Sequence, residues 1–186
     1  MFQTRIHGRG GQGVVTAAEV LSVAAFLEGR YAQAFPSFGS ERMGAPVMAF
    51  CRIDDKEIRL REPVARPDAL IIQDPTLLHQ VDLFSGLEGT GFLLINTSRS
   101  PAELGIDEVA SRLPAHHVCT VAASEISQRH IGRALPNAAL LGAFAAVTGQ
   151  IRLDSVRAAI ADKLKGEIGR RNADAAAEAH DAVRLG

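Results

Sequence analysis

Apolar positions follow two different spacings along the chain, and each spacing predicts a different element. In short stretches they are contiguous or alternate with polar residues, which is typical of buried or half-buried strands. In longer stretches they recur every three or four residues, as on one face of an amphipathic helix. The strands predicted in this way are Gln3–His7, Val47–Ile53, Ala69–Gln73, Gly91–Asn96 and Val118–Val121.

Predicted helices fill most of the intervals between those strands. The first covers Val14–Leu27 and is followed by Gly29, a residue that commonly ends helices. The others are Leu77–Leu83, Ser124–Ile131, Asn137–Val147, Asp154–Leu164 and Asn172–Val183, with a connecting helix or loop at Ala102–Leu113. Strands and helices that alternate in this order are typical of a parallel α/β sheet with right-handed crossovers.

One segment interrupts the alternation, and we interpret it as an antiparallel hairpin. After Val47–Ile53, Asp54-Asp55 has turn chemistry, and the alternating polarity of Glu57–Arg61 predicts a returning strand. The predicted fold class is therefore α/β, with a mainly parallel sheet, helices on both faces, one inserted antiparallel hairpin and helices at the C-terminal end, over about residues 152–186. A length of 186 residues predicts one domain, spanning residues 1–186.

The most informative motif is Gly8-Arg9-Gly10-Gly11-Gln12-Gly13, between the first predicted strand and the first predicted helix. Glycine lets the backbone turn sharply and approach another group closely. The following helix directs its free N–H groups and the positive end of its dipole at this loop. The motif therefore favours an anionic ligand or a buried segment of a partner.

The same motif has the G-x-G-x-x-G spacing of dinucleotide-binding proteins, so a free-standing NAD-binding oxidoreductase is one alternative. In such proteins an acidic residue about 20 residues further on, at the end of a strand, holds the ribose. The corresponding segment, Tyr31–Pro36, contains no acid. The missing carboxylate argues against bound NAD or FAD.

A second informative stretch, Ala34–Pro46, is predicted to be a loop rich in aromatic, glycine, proline and charged residues. Exposed phenylalanines are costly, so we expect a ligand or a partner surface to cover Phe35 and Phe38. Arg42 is suited either to a carboxylate or phosphate group or to a surface ion pair. Asp74 follows a predicted buried strand, where open α/β sheets place ligands, and a helix N-cap explains it equally well.

Composition excludes several kinds of chemistry. A net charge of −1, no Trp and one Tyr leave neither a basic field nor a stacking platform for nucleic acid. Cys51 and Cys119 are isolated, so we expect reduced core thiols and no metal site. No motif supplies a catalytic residue, and no signal peptide or apolar run of about 18 residues occurs, so we expect a cytoplasmic protein without contact to a membrane.

Five segments, in this order and spacing, resemble the gamma subunit of the 2-oxoacid:ferredoxin (acceptor) oxidoreductases. Pyruvate:ferredoxin oxidoreductase is the best-known member of that family. The similarity extends from Ile6 to about Leu164, which is nearly the whole chain. The segments are His7–Gly13, Tyr31–Gly39, Glu41–Val47, Gln73–Thr76 and Leu141–Phe144.

The resemblance implies one subunit of an enzyme that oxidatively decarboxylates a 2-oxoacid to an acyl-CoA and passes electrons to ferredoxin or another acceptor. It implies a Rossmann-like gamma domain packed against alpha and beta subunits, which build a thiamine diphosphate site with Mg. Iron–sulfur clusters are expected in beta or in a ferredoxin-like delta subunit. No cofactor is expected on this chain alone, and the isolated chain is expected to be inactive. Pyruvate, 2-oxoglutarate, branched-chain and aryl 2-oxoacids such as phenylglyoxylate stay open as substrates, as do ferredoxin and an NAD(P)-linked flavoprotein as acceptors in anaerobic metabolism.

We expect the glycine motif, the second stretch and Asp74 to share the carboxyl edge of the sheet, facing the alpha and beta subunits. The resemblance suggests that coenzyme A is contacted there. The predicted cofactor-binding residues are Gly8, Gly10, Gly11, Gln12, Gly13, Arg42 and Asp74. The residues predicted to line the entrance for substrate and coenzyme A, or a subunit interface, are Phe35, Pro36, Ser37, Phe38, Glu41, Arg42, Met43 and Asn137. The other alternative is a purely structural assembly subunit, whose glycine loop is filled by a neighbouring chain.

Overall fold

Seven strands form one sheet in the computed structural model, which describes residues 1–37 and 43–185. They are β1 (Phe2–Arg9), β2 (Tyr31–Pro36), β3 (Pro46–Asp54), β4 (Ala69–Ile72), β5 (Phe92–Asn96), β6 (Val118–Val121) and β7 (Arg184–Leu185). Their order across the sheet is β2-β3-β1-β4-β5-β6-β7. Neighbours along the chain are therefore not always neighbours in the sheet, because β3 lies between β1 and β2.

Most of the strands run in the same direction. β1, β4, β5 and β6 pair in parallel, whereas β3 is antiparallel to both β1 and β2, and β7 is antiparallel to β6. Since β3 is antiparallel to both of its neighbours, β2 runs in the same direction as β1. The carboxyl ends of β1, β2, β4, β5 and β6 consequently lie at one edge, and the predicted mainly parallel sheet is confirmed.

Five long helices pack on one face of the sheet. They are α1 (Val14–Leu27), α3 (Ala123–Ile131), α4 (Asn137–Thr148), α5 (Leu153–Lys163) and α6 (Gly166–Ala182). The larger hydrophobic core lies between these helices and the sheet, where alternate strand residues such as Ile6, Cys51 and Ile71 point. None of the helices within residues 1–37 and 43–185 combines the length and the hydropathy of a membrane-spanning segment.

The opposite face is covered by shorter elements. A smaller core of Leu70, Ile72, Leu93 and Ile95 packs against the segment that contains α2 (Asp107–Ala110). The 3-10 helix Pro75–His79 contributes Leu77 to this smaller core, and a second 3-10 helix, Ala115–His117, precedes β6. The expectation of helices on both faces is confirmed, with the long helices confined to one of them.

The antiparallel pair is present, but the returning strand predicted at Glu57–Arg61 is wrong. That segment has no strand structure, and the second partner of β3 is β2, which precedes it in the chain. Both edges of β3 are filled, because β1 pairs with it along eight residue positions and β2 along six. Both ends of the predicted loop Ala34–Pro46 are also wrong, because Ala34–Pro36 belongs to β2 and Pro46 begins β3.

Two predicted helices differ from the observed ones by more than one residue at an end. The helix predicted at Leu77–Leu83 is the short 3-10 helix Pro75–His79. The last helix was predicted to begin at Asn172 and begins at Gly166. Buried Gly169 and Asn172 lie in the longer helix, where packing against α5 outweighs the weak helical preference of glycine.

Basic side chains are buried on the strand face opposite α1. Arg5 and His7 on β1 are each 6% exposed, and Arg52 on β3 is 2% exposed. Burial, followed by the nearby charge of Arg5, lowers the pKa of His7 to about 3. His7 is therefore neutral at physiological pH, and its charged form is strongly disfavoured in the folded protein.

The contact between α4 and α6 depends on a glycine. A Cβ atom at Gly142 would lie 1.8 Å from the carbonyl oxygen of Ala176 and 2.8 Å from its Cα. Since both atoms belong to the backbone of α6, no side-chain rotation relieves the clash. Gly142 thus lets the two helices approach more closely than any other residue type would allow.

We expect Gly142→Ala to lower the free energy of unfolding by about 2 kcal/mol. The overpacking cost is about 3 kcal/mol, offset by about 1 kcal/mol of better helix propensity. Urea denaturation followed by circular dichroism measures it. Ala146→Ser, on the exposed side of the same helix, is the control and should change stability by less than about 0.5 kcal/mol. A Gly142→Ala protein as stable as wild type would contradict the close approach of α4 to α6.

We also expect His7 to make the protein less stable in acid. The unfolded state binds a proton at His7 below the ordinary histidine pKa of 6.5, whereas the folded state resists protonation down to about pH 3. Stability is therefore lost as the pH falls below about 6.5. Between pH 7 and pH 5, wild type should lose about 2 kcal/mol more than His7→Gln, which cannot titrate, as measured by urea denaturation at each pH. Equal losses in the two proteins would show that His7 titrates normally when folded.

Candidate functional site

The point at which the chain changes direction across the sheet lies between β1 and β4. After β1 the chain crosses to β2 on one side, and after β3 it continues to β4 on the other side. Open α/β sheets place their ligands at the carboxyl edge beside such a point. The glycine loop, residues 10–13, follows β1 there, and Asp74 follows β4. The two segments thus lie at one edge of the sheet, where the sequence predicted them.

The glycine loop leads directly into α1 without a side-chain cap. Gly11 and Gly13 have φ of 92° and 72°, in the left-handed region that favours glycine. Gly13 is the N-cap, and within the described residues no side chain bonds the first N–H groups of α1. Gly8 and Gly10 are buried, whereas Gly11 is exposed. The positive end of α1 therefore opens at Gly11 and Gly13.

Asp74 organises the loop through four hydrogen bonds. Its Oδ2 accepts from Nε of Arg9 at 3.1 Å and from Nε2 of Gln12 at 2.9 Å. Its Oδ1 accepts from the backbone N–H and the hydroxyl of Thr76, at 3.0 and 2.6 Å, which caps the 3-10 helix. Burial raises the pKa of Asp74, but the hydrogen bonds from Thr76 and Gln12 and the charge of Arg9 outweigh it and hold this pKa below its usual value. Asp74 therefore caps the 3-10 helix, and it also lies at the carboxyl edge of the sheet. Both positions were considered from the sequence.

Arg9 uses most of its hydrogen-bonding capacity inside the protein. Beyond Asp74, its Nη1 donates to the carbonyl oxygen of Gly44 at 3.0 Å, and its Nη2 donates to Thr76 and Gln80, both at 2.8 Å. A guanidinium has five N–H groups, so one on Nη1 has no part in these four bonds. The main role of Arg9 is thus to hold the loop in place, and it offers at most one N–H donor to a ligand.

The end of the second stretch is joined to the glycine loop. The N–H of Gly10 donates to the carbonyl oxygen of Ala45 at 2.9 Å, and the N–H of Gly44 donates to that of Gly10 at 3.1 Å. Met43 is 86% exposed, and a Cβ atom at Gly11 would lie 2.8 Å from its sulfur. The predicted site residues Phe38, Glu41 and Arg42 lie outside the described residues.

Phe35 and Pro36 lie in β2, away from the loop. The Phe35 ring packs against Phe50 at 5.1 Å between centroids, and the Arg52 guanidinium lies 5.3 Å from its centre. The chain itself covers part of the Phe35 side chain, which is half-buried, and the expectation that a ligand or partner covers it stays a prediction. Ser37 follows at the carboxyl edge, where its N–H donates to the carbonyl oxygen of Met48 at 2.9 Å.

Further polar side chains near this edge include one that was predicted from sequence and two that were not assigned. Asn137 was predicted, and its Nδ2 lies 3.5 Å from the carbonyl oxygen of Gly13. Asn96, at the end of β5, donates to the carbonyl oxygen of Gln73 at 2.7 Å and accepts from the N–H of Ser124 at 3.0 Å. The side-chain amide of Gln73 is buried with no partner in the described part of the chain. A polar residue that ends a buried apolar run is the sequence signal that identifies Asn96 and Gln73.

A pocket of about 220 Å³ opens beside the Asp74 turn. Thr76 and His79 line it on one side and Thr97, Arg99 and Glu103 on the other. Arg99 lies in a segment that carries no recognisable motif, so no sequence signal identifies it. Arg99 and the threonine hydroxyl groups are of the types that bind phosphate or carboxylate groups, whereas the Glu103 carboxylate beside Arg99 opposes an anion.

The arrangement of strands differs from that of a dinucleotide-binding fold. In such folds the acidic residue that holds the ribose ends the strand beside β1. Here β3 occupies that place, and it contributes its beginning, Pro46, to the carboxyl edge. The end of β2 is separated from the glycine loop by β3, so the position for a ribose-binding acid is not beside the loop.

The two cysteines are on separate strands and do not form a ligand set. Cys51 and Cys119 are both free and buried, on β3 and β6. Burial raises the pKa of each thiol to about 12, so both are protonated at neutral pH. Within the described ranges, no group of three or more His, Cys, Asp or Glu side chains is arranged to hold a metal ion.

Comparison with known proteins identifies the family. The model of the family described as pyruvate ferredoxin/flavodoxin oxidoreductase matches residues 3–182. The chain is 45% identical over 185 residues to the pyruvate/ketoisovalerate oxidoreductases common subunit gamma of Pyrococcus abyssi, covering 100% of this chain and 98% of that one. It is 46% identical to the pyruvate synthase subunit PorC of Methanocaldococcus jannaschii, covering 97% of this chain and 96% of that protein.

A solved structure agrees with these relatives. The crystal structure of the pyruvate oxidoreductase subunit PORC from Thermotoga maritima matches with a TM-score of 0.81 and 34% identity, over 98% of this chain and 97% of that chain. The resemblance inferred from the five sequence segments is thereby confirmed. The chain belongs to the pyruvate ferredoxin/flavodoxin oxidoreductase family, as a gamma-type subunit of a 2-oxoacid oxidoreductase.

Proposed function

We propose that this chain, acting as one gamma-type domain over residues 1–186, turns the carboxyl edge of its sheet toward the catalytic subunits and binds a phosphate of coenzyme A there. The observation that carries this proposal is the uncapped start of α1 at Gly13, held open at the switch point by Arg9 and Asp74. When bound, coenzyme A supplies the thiol that receives the acyl group.

The residues at this edge fit a phosphate group. A Cβ atom at Gly11 would lie 2.8 Å from the sulfur of Met43, and one at Gly13 would lie 2.5 Å from Nδ2 of Asn137, so only glycine fits at these two positions of the loop. The N–H groups in the first turn of a helix have no acceptor within the helix and favour an anion. Both oxygens of the neighbouring Asp74 already accept hydrogen bonds from within the chain.

The neighbouring pocket provides a second set of contacts for the same ligand. Arg99 and His79 line it, and Thr76 links it to Arg9 through a hydrogen bond of 2.8 Å. Coenzyme A carries several phosphate groups, and we assign Arg99 as a contact for a second one. The Glu103 carboxylate also lines this pocket and limits the negative charge that the pocket accepts. Arg42, suited by type to a phosphate, keeps its proposed role as a further contact.

The choice of 2-oxoacid is proposed to lie mainly on the other subunits. One set of relatives is named as a gamma subunit common to pyruvate and ketoisovalerate oxidoreductases, and another as a subunit of pyruvate synthase. A subunit common to two activities does not by itself select between the two substrates. We therefore assign pyruvate as the first substrate to test and a branched-chain 2-oxoacid as the second.

The redox and carbanion chemistry is likewise assigned to partners. Cys51 and Cys119 are buried on different strands and do not fit an iron–sulfur cluster. Alpha and beta subunits are proposed to hold thiamine diphosphate with Mg, and beta or a ferredoxin-like delta subunit to hold the clusters. Ferredoxin is the proposed acceptor, with an NAD(P)-linked flavoprotein as the alternative. The isolated chain is then expected to be inactive.

Met43 favours a second candidate function, that of an assembly subunit without a ligand of its own. Its side chain is 86% exposed beside Gly11, and exposed apolar groups at a functional edge are typical of protein interfaces. In that case a partner's side chain or backbone fills the glycine loop. The two functions differ in the effect of loop variants on coenzyme A.

Gly11→Ala in the assembled complex tests the proposal. Alanine is strained at a φ of 92°, and its Cβ atom would approach Met43 Sδ to 2.8 Å, which changes the direction of the loop's N–H groups. We expect the KM for coenzyme A to rise about tenfold, the effect of losing one charge-assisted hydrogen bond, while the KM for the 2-oxoacid stays the same. Steady-state kinetics measure both, and Arg42→Ala should act in the same direction.

Gly29→Ala is the matched control for backbone strain. Gly29 has a φ of 75° at the opposite end of α1, and a Cβ atom there meets nothing within 4 Å. It should therefore carry the same type of strain without changing the KM for coenzyme A. If Gly11→Ala lowers the yield of assembled complex and leaves this KM unchanged in the complex that does form, the assembly function is favoured. If neither quantity changes, both functions of the loop are wrong.

A further inference from the structure

A groove of about 230 Å³ lies on the side of the sheet opposite α1. It is lined by Arg5, His7, Ser37, Met48, Val81 and Asp82. Its volume greatly exceeds the roughly 30 Å³ that one water molecule occupies in the liquid. The groove thus has room for a small organic molecule, between a basic strand and an apolar wall.

Arg5 brings a buried positive charge without a paired carboxylate. Its Nη2 donates to the carbonyl oxygens of Leu83 and Ser85 at 2.8 and 2.7 Å, and its Nη1 donates to that of Val64 at 3.4 Å. Its Nε has no partner, and within the described residues no ion pair joins Arg5 to an acid. Burial lowers the pKa of Arg5, and only the charge of Asp82 opposes this effect. The guanidinium is therefore desolvated, and its Nε–H group and one N–H group on Nη1 have no part in these three bonds.

His7 adds a second unused polar atom on the same strand face. Residues two apart on a strand point to the same side, so the imidazole lies beside the guanidinium. Its Nε2 is buried and has no partner within residues 1–37 and 43–185. The ring is neutral, so one of its nitrogens carries a hydrogen and can donate it.

Burying these two side chains with unpaired polar atoms costs folding free energy. A buried polar atom without a hydrogen bond costs roughly 1–3 kcal/mol, and a buried charge without a counter-charge costs more. A carboxylate supplies both missing parts, because its oxygens accept from two donors and its charge balances the guanidinium. An uncharged ligand supplies only the hydrogen bonds.

We propose that this groove binds a small monocarboxylate, whose oxygens accept hydrogen bonds from Nε of Arg5 and Nε2 of His7. The apolar part of the ligand packs against Met48 and Val81. The Asp82 carboxylate, which accepts from the N–H of Ser85 at 3.2 Å, lines the same groove and disfavours a ligand with a second negative charge. This site is separate from the proposed coenzyme A contact and does not depend on it.

Acetate and acetamide are the matched probes, since they share a shape and differ in charge. The full chain is labelled with 15N-histidine at pH 7 and constant ionic strength, and the signal of His7 is identified by its loss in His7→Gln. Acetate should shift the His7 ring nitrogen signal in a saturable way, whereas acetamide should leave it almost unchanged. No saturable shift, or the same shift with both probes, would overturn the proposal.

Substitutions locate the binding to the groove. Met48→Trp should fill the groove and weaken acetate binding at least tenfold while leaving both basic side chains in place. Arg5→Met should weaken it to a similar degree, and Arg59→Met, at a residue whose side chain is 83% exposed, should have no effect. If Arg5→Met fails to fold, Met48→Trp still decides, because unchanged acetate binding in that variant would place the acetate elsewhere and contradict the site.

Discussion

The ion pair between Arg9 and Asp74 joins the two sides of the switch point, and the geometry of the carboxyl edge depends on it. Nε of Arg9 lies 3.1 Å from Oδ2 of Asp74, and the two side chains are 22% and 12% exposed. An exposed ion pair contributes little, but this one is part of a hydrogen-bonded network with Gln12 and Thr76. The network fixes the direction of the glycine loop, and hence where the positive end of α1 points.

The antiparallel strand β3 determines which groups lie beside the glycine loop. It lies between β1 and β2, so it removes the position from which an acidic residue would hold a ribose and places Gly44 and Ala45 against Gly10 instead. The close packing of α4 on α6 at Gly142 also positions the glycine loop, because α4 begins with Asn137, whose side chain contacts Gly13. The resulting edge is the one at which we propose that an anionic group and a partner surface bind.

Sequence patterns predicted the local features of this fold well and the long-range ones poorly. The glycine motif, the first helix and the capping role of Asp74 follow from residues close together in the chain, and each is found where it was expected. The partner of β3 was wrong, because alternating polarity at Glu57–Arg61 also fits an exposed segment, whereas pairing with β2 depends on contacts distant in sequence. The interactions of Arg9 with Gln80 and of Asn96 with Ser124 were missed for the same reason. Side-chain roles of this kind arise only when strands far apart in the chain meet.

A structure of the assembled complex with coenzyme A bound would test the proposed site most directly. We predict that the carboxyl edge of β1 and β4 faces the catalytic subunits and that a phosphate of coenzyme A lies within hydrogen-bond distance of the N–H groups between Gly11 and Val14. The bond between Arg9 and Asp74 should be kept in that complex. A glycine loop that is filled by a neighbouring chain, or that faces solvent far from coenzyme A, would contradict the proposed site.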